Sequence, residues 1–172
     1  MSEVQLNIRP AFSSDAEGMA SVSMRAWHIS LKNIVPDGFL DQFEHEKQKM
    51  KYAERADDPS WQLLVAESRG KIAGMIGVRD NDSEPQAYEK QIKVMYVDPE
   101  FQRRGVGKAL LAAVFAQLKE QGVRCVMAWC ITANEIACAF YEKSGARRIE
   151  GIEPPEEYAA MPHVIYAWDF IK

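Results

Sequence analysis

Val97-Asp98-Pro99-Glu100-Phe101-Gln102-Arg103-Arg104-Gly105-Val106-Gly107-Lys108-Ala109-Leu110 holds the transition that decides the fold: an apolar run stops at Asp-Pro, and helical spacing begins after it. Upstream, Ile92-Lys93-Val94-Met95-Tyr96-Val97 has the composition of a strand, which Asp98-Pro99 ends. Downstream, Val106, Leu110, Val114 and Leu118 mark every fourth position and predict a long amphipathic helix that stops at Gly122. A glycine in a helical turn costs about 1 kcal/mol relative to alanine. Gly105 and Gly107 at a helix entrance therefore make sense where something must approach the backbone closely. The unpaired N–H groups of a first helical turn and the macrodipole favour an anion there, and Arg103, Arg104 and Lys108 add charge-assisted contacts, so a phosphate fits. On the two glycines alone, a helix that simply opens with glycine and basic residues explains the pattern equally well. A Walker loop would need Gly at position 102 and Ser or Thr at 109, and a dinucleotide fingerprint would need Gly at 110; both readings fail.

Working outward, Val4 to Ile8 alternates as a first strand, closed by Arg9-Pro10, and a first helix starts near Ser13 or Ser14 and carries through Trp27. Phe39 to about Arg55 predicts a second helix, ended by Asp57-Asp58-Pro59. Trp61 to Ala66 and Ile72 to Val78 are strands joined by a hairpin-length connection, and Asn81 to Gln86 is a polar loop. Val123 to Trp129 is a further strand, Asn134 to Lys143 a helix, and Ile149 and Val164 to Phe170 lie in two closing strands. The order β-α-α-β-β-β-α-β-α-β-β lacks the one-to-one rhythm of a doubly wound fold. It favours an α/β (α+β) chain with a mixed sheet and helices on both faces.

The 172 residues fit one domain, with 47% apolar and 27% charged residues, as in ordinary globular proteins. A formal charge of -4 disfavours a nucleic-acid partner. No stretch approaches the roughly 18 apolar residues of a membrane span, so no membrane partner and a cytoplasmic location are expected. Cys125, Cys130 and Cys138 form no CxxC pair, and His28, His45 and His163 lack ligand spacing, so reduced thiols and no metal are expected. A thiol acting as acyl-carrying nucleophile is the weaker reading, because Cys125 alternates with Val123 and Met127 as core filler does.

With the nucleotide motifs excluded, Gln102-x-x-Gly105-x-Gly107 after a strand ending in Val97-Asp98-Pro99 resembles the acyl-CoA loop of the GNAT family of N-acetyltransferases. Asn134-x-x-Ala137-x-x-Phe140-Tyr141-Glu142-Lys143-x-Gly145 resembles that family's second conserved helix, at the usual distance. The two motifs cover residues 92–146, about a third of the chain. Ala146 departs from the pattern, since an aromatic residue is common after that glycine. The resemblance implies a single GNAT-like domain over residues 1–172, with a mixed, mostly antiparallel central sheet of about seven strands. It implies acetyl-CoA as acyl donor, with Met95 and Val97 offering main-chain groups to the pantetheine arm. It further implies that Gln102 and the amides of Arg103, Arg104, Gly105, Val106, Gly107 and Lys108 belong to the diphosphate loop, that Asn134 bonds the cofactor arm, and that Tyr141 sits near the sulfur.

The matching chemistry is direct transfer to an amine, with Tyr141 hydrogen-bonding the departing thiolate as charge develops. Asn134 also suits a helix cap, and Tyr141 with Phe140 also suits a core. A carboxylate acting directly or through water is the family's expected device for deprotonating the acceptor. Glu89, at the head of the strand bearing Met95 and Val97, is the first candidate, with Asp80, Glu84 and a main-chain carbonyl with water as competitors. Trp27 and His28 are the candidate acceptor-binding residues, although an aromatic on an apolar helix face is more often core. The expected acceptor is a primary amine, a small metabolite ahead of a protein terminus or lysine. A non-catalytic acyl-CoA sensor or interaction module on the same scaffold is the alternative. Trp168 and Phe170 serve a homodimer as readily as a core.

Overall fold

The computed structural model describes residues 5–170. Seven strands, β1 (Asn7–Pro10), β2 (Gln62–Ser68), β3 (Lys71–Asp80), β4 (Lys90–Val97), β5 (Cys125–Ile131), β6 (Arg147–Ile149) and β7 (His163–Asp169), are interleaved with four α-helices. The helices are α1 (Ala16–Ser30), α2 (His45–Asp57), α3 (Val106–Glu120) and α4 (Glu135–Lys143), and the order along the chain is the expected one. The strands follow one hydrogen-bonded order, β1-β2-β3-β4-β5-β7-β6. The β1–β2, β5–β7 and β6–β7 pairs are antiparallel, and β4 runs parallel to β5 over Lys90–Ile92 and Val126–Ala128. The sheet is thus mixed and seven-stranded, as expected. The chain divides into two compact units, Met1–Gly77 with Val94–Ala116 and Val78–Lys93 with Gln117–Lys172.

In the first unit, Met19 and Ala20 of α1 and Tyr52 of α2 pack against Leu63, Val65, Met75 and Val94. Each large apolar side chain so buried contributes about 1.5–3 kcal/mol. Gly74, adjacent to Met75 and so on the other face, lies against Val106 and Leu110 of α3. Helices therefore cover both faces here, as the mixed order of elements predicts. The Arg69-Gly70 connection between β2 and β3 places both residues at positive φ, 50° and 75°. That backbone twist matches a tight hairpin, and glycine adopts it without steric cost.

In the second unit, Tyr88, Met127, Ile165 and Ala167 form one cluster. Trp168 is buried, its ring 5.4 Å from Tyr141 and its indole N–H donating to Ser144 Oγ at 3.1 Å. The Lys119 ammonium lies 4.9 Å over the ring of Phe170. Core packing thus accounts for Trp168 without recourse to a dimer.

Several element ends shift by one to three residues from the sequence reading, and two of the differences have a clear physical reason. Val4 lies outside the described residues, and β1 runs from Asn7 through Pro10, which pairs with Leu64. β1 is an edge strand, where a proline is tolerated. The helix expected from Phe39 to Arg55 is broken: a short 3-10 turn covers Leu40–Gln42, Phe43 and Glu44 are extended, and α2 begins at His45. Phe43 instead lays its ring 4.7 Å from that of Trp27. Among the described residues no helix is long and apolar enough to cross a membrane.

Candidate functional site

The turn after β4 is built residue by residue. Asp98 ends the strand and accepts the Glu100 N–H at 2.9 Å, so that Pro99, needing no partner, can open a 3-10 turn over Pro99–Phe101. Gln102 is extended, and its side-chain amide donates to the Val97 carbonyl at 3.2 Å, tying the turn back to the strand. Arg103 (φ 60°) and Gly105 (φ 83°) then adopt left-handed backbone. A Cβ at Gly105 would meet nothing within 4 Å, so glycine serves the backbone conformation here rather than relieving a clash.

α3 starts at Val106, and Ala109 N–H bonds the Gly105 carbonyl at 2.9 Å. The amides of Val106, Gly107 and Lys108 have no carbonyl of α3 one turn earlier to bond, and point from the helix entrance as anion donors. Val106 is buried and anchors the entrance, while Arg103, Arg104, Gly105 and Lys108 are exposed. Left-handed backbone beside helical backbone, with three basic side chains around it, fits a diphosphate. Met95 and Val97 are half-buried on β4, and Val94 and Tyr96 alternate with them toward the α1–α2 core.

α1 carries the two acceptor candidates in different directions. Trp27 packs its ring 4.7 Å from Phe43 and 5.6 Å edge-on from Tyr96. His28 is exposed, its Nδ1 2.7 Å from the Met24 carbonyl oxygen, so Nδ1 carries the hydrogen. His28 lines a cavity of about 400 Å³ with Arg25, Ile29, Asp98 and Glu100; Trp27 does not.

In the second unit, Asn134 precedes α4 and its side-chain oxygen accepts the Ala137 N–H at 3.2 Å. The cap engages the oxygen alone, so the side-chain NH2 group can serve a ligand. Tyr141 is buried between aromatic neighbours, its ring 5.5 Å from Tyr166 and 5.4 Å from Trp168. The Tyr166 hydroxyl donates to Glu142 Oε1 at 2.8 Å.

The three carboxylates considered as bases all have partners. Glu89 accepts the Arg124 backbone N–H at 3.0 Å and its Nε–H at 2.8 Å, which hold its carboxyl below the usual range. Asp80 pairs with Lys90 at 2.6 Å and is held down chiefly by that hydrogen bond, while Glu84 accepts the Gln86 N–H at 3.1 Å. The thiols of Cys130 and Cys138 lie 3.8 Å apart in the interior, where burial pushes the Cys130 thiol up and disfavours the thiolate a nucleophile needs. Cys125 Sγ donates to the Ala87 carbonyl at 3.3 Å.

Two clusters escaped the sequence reading. Lys93 on β4 sits 2.7 Å from Asp82 and 3.2 Å from Glu157, 5.9 Å over the Tyr158 ring, which lies 5.1 Å from His163. The signal for it was the run Glu153-Pro154-Pro155-Glu156-Glu157-Tyr158. Arg25 on α1 pairs with Asp98, a contact that residue spacing does not reveal.

Residues 28–146 match the model of the acetyltransferase (GNAT) family. An uncharacterised N-acetyltransferase of Bacillus subtilis, YuaI, is 24% identical over 144 residues, 84% of this chain and 82% of that protein. A mycothiol acetyltransferase of Propionibacterium freudenreichii is 33% identical over 90 residues, 51% of this chain but only 28% of that protein. Among solved structures, the PaiA N-acetyltransferase of Thermoplasma acidophilum in complex with coenzyme A has a TM-score of 0.80 at 18% identity, over 96% of this chain and 99% of that one.

Proposed function

Because the chain belongs to the acetyltransferase (GNAT) family, we propose that it moves the acetyl group of acetyl-CoA directly onto a primary amine, a small metabolite ahead of a protein terminus or lysine. The turn from Gln102 to Lys108 carries this reading, because its left-handed backbone, free helix amides and basic side chains suit a diphosphate. A related fold that holds coenzyme A in its solved structure supports the same donor. A single domain over residues 1–172 belongs to this reading, supported by the make-up of each compact unit from two separate stretches of chain.

In the reaction the amine nitrogen attacks the thioester carbonyl carbon; the C–N bond forms, the C–S bond breaks, and the sulfur leaves as thiolate. The departing thiolate, with a reference pKa of about 8.5, is stabilised by hydrogen bonding from the Tyr141 phenol, whose reference value of about 10 makes full early proton transfer uphill. Main-chain groups of Met95 and Val97 and the side chain of Asn134 bind the pantetheine arm. An alkylamine with a pKa of about 10.4 is neutral in only about one molecule in 2,500 at pH 7, so the site must also accept a proton. Glu89 is the first carboxylate for this, acting through water, since the hydrogen bonds from the Arg124 backbone N–H and guanidinium keep it ionised but weaken it as a direct base. His28, open to the cavity beside α1, is the acceptor-side residue of choice, while Trp27 packs against Phe43 and Tyr96.

The test is incubation with acetyl-CoA and a broad panel of amines. The proposal predicts release of free thiol that depends on both substrates. No thiol above background, with CoA still raising Tm, would instead make the chain a sensor of acyl-CoA.

A further inference from the structure

Asp98 is 1% exposed, although it carries a carboxylate. A charge so deep must be paired and hydrogen-bonded to be tolerated. Its Oδ1 accepts the Glu100 N–H at 2.9 Å, its carbonyl accepts the Phe101 N–H at 2.8 Å, and its own N–H donates to the Ala73 carbonyl of β3 at 2.9 Å. Its Oδ2 accepts from Nη2 of Arg25, which reaches over from α1. These bonds hold the point where the chain leaves β4 for the turn. Gln102, four residues on, is tied to Val97 as well. The exit from β4 is thus braced by a strand, its own 3-10 turn and a helix, and Arg25 supplies the positive charge that faces the Asp98 carboxylate.

We propose that Arg25 is a positioning residue for the diphosphate turn: acting through Asp98, it holds the amides of Arg103 to Lys108 in the arrangement that binds acetyl-CoA. The inference rests on the acyl-CoA reading of that turn. Without Arg25 the Asp98 carboxylate loses its counter-charge and must draw in water, which loosens the 3-10 turn and leaves the amides to be ordered by the ligand at a cost in affinity. Arg25 is itself more than half exposed, so its replacement leaves no cavity in the core.

Arg25→Met keeps the length and removes the charge; Arg25→Lys returns a charge without the planar fork. Hydrogen exchange on the chain alone reads the brace directly. The amides of Glu100, Phe101 and the following turn should exchange about tenfold faster in Arg25→Met, with Arg25→Lys between the two and the amides of β5 and α4 unchanged. In steady-state kinetics, KM for acetyl-CoA should rise about tenfold and be partly restored in Arg25→Lys, whatever the change in KM for the amine, since Arg25 also lines the cavity beside His28. Unchanged exchange in the turn overturns the inference, as does an unchanged KM for acetyl-CoA in a chain that turns over. A rise in KM for the amine alone, with exchange in the turn and KM for acetyl-CoA unchanged, assigns Arg25 to the acceptor cavity and overturns the inference. If the wild-type chain releases no thiol, the functional reading falls, while the exchange measurement still decides the brace.

Discussion

The ring of Tyr141 is held by Tyr166 and Trp168, and its hydroxyl is the phenol proposed to meet the leaving sulfur. Tyr141→Phe keeps the ring contacts and removes only the oxygen. Steady-state kinetics should then show kcat lowered by about 100-fold, within the usual range for a positioned acid, with KM for acetyl-CoA nearly unchanged; equal turnover across the pH range removes Tyr141 from the mechanism. Asp15 illustrates a residue whose charge serves stability. It accepts both Arg9 Nη groups, at 2.8 and 2.9 Å, and the Phe12 N–H, and the Arg9 bonds above all hold its carboxyl below the usual range. A depressed folded-state pKa means that the stabilisation is present above the unfolded value of about 3.9 and is lost as pH falls through the folded one. Asp15→Asn should therefore lower stability at pH 7 by about 2 kcal/mol, roughly 4–8 °C in Tm, and melting curves should converge with wild type as pH falls toward 2. At this scale the sequence shows which residue types suit the chemistry, but not their distant partners. The Arg124 that binds Glu89 lies 35 positions further along, and nothing in either residue's neighbourhood announces it.

At the scale of elements, α3 and the strand before it carry the account. Gly74 on β3 lets α3 approach: a Cβ there would lie 2.9 Å from the Tyr96 carbonyl oxygen and 3.1 Å from Leu110 and Val106 side-chain carbons. Since the oxygen belongs to the backbone, the strain cannot be relieved by a rotamer change alone. Gly74→Ala should cost about 1–3 kcal/mol as an overpacked core does, read as a lowered Tm and a raised KM for acetyl-CoA as the helix entrance shifts; an unchanged Tm contradicts this packing. The elements whose ends are set by local chemistry were legible, as with Asp98-Pro99 closing β4 and Asn134 opening α4. The continuous helix expected from Phe39 was not observed, because the ring contacts of Phe43 with Trp27 are tertiary and outweigh local helical spacing. Pro10 likewise reads as a terminator until its edge position is known.

For the whole molecule, the order of elements and the mixed seven-stranded sheet were readable because apolar spacing switches between the periods of strand and helix at every boundary. The acceptor was not readable. Side chains gathered from far apart in the chain, such as the cluster of Lys93, Asp82, Glu157 and Tyr158, leave no local signal, and a net charge of -4 describes no single pocket. What the whole chain does depends first on whether the turn at Gly105 takes a diphosphate. Calorimetric titration with coenzyme A asks this without knowledge of the amine. The account predicts saturable heat at a single site in the wild-type chain and at least about 100-fold weaker binding in Gly107→Glu, where a carboxylate enters the space of the diphosphate. No heat at saturating coenzyme A, or equal heat in the folded Gly107→Glu variant, would contradict it.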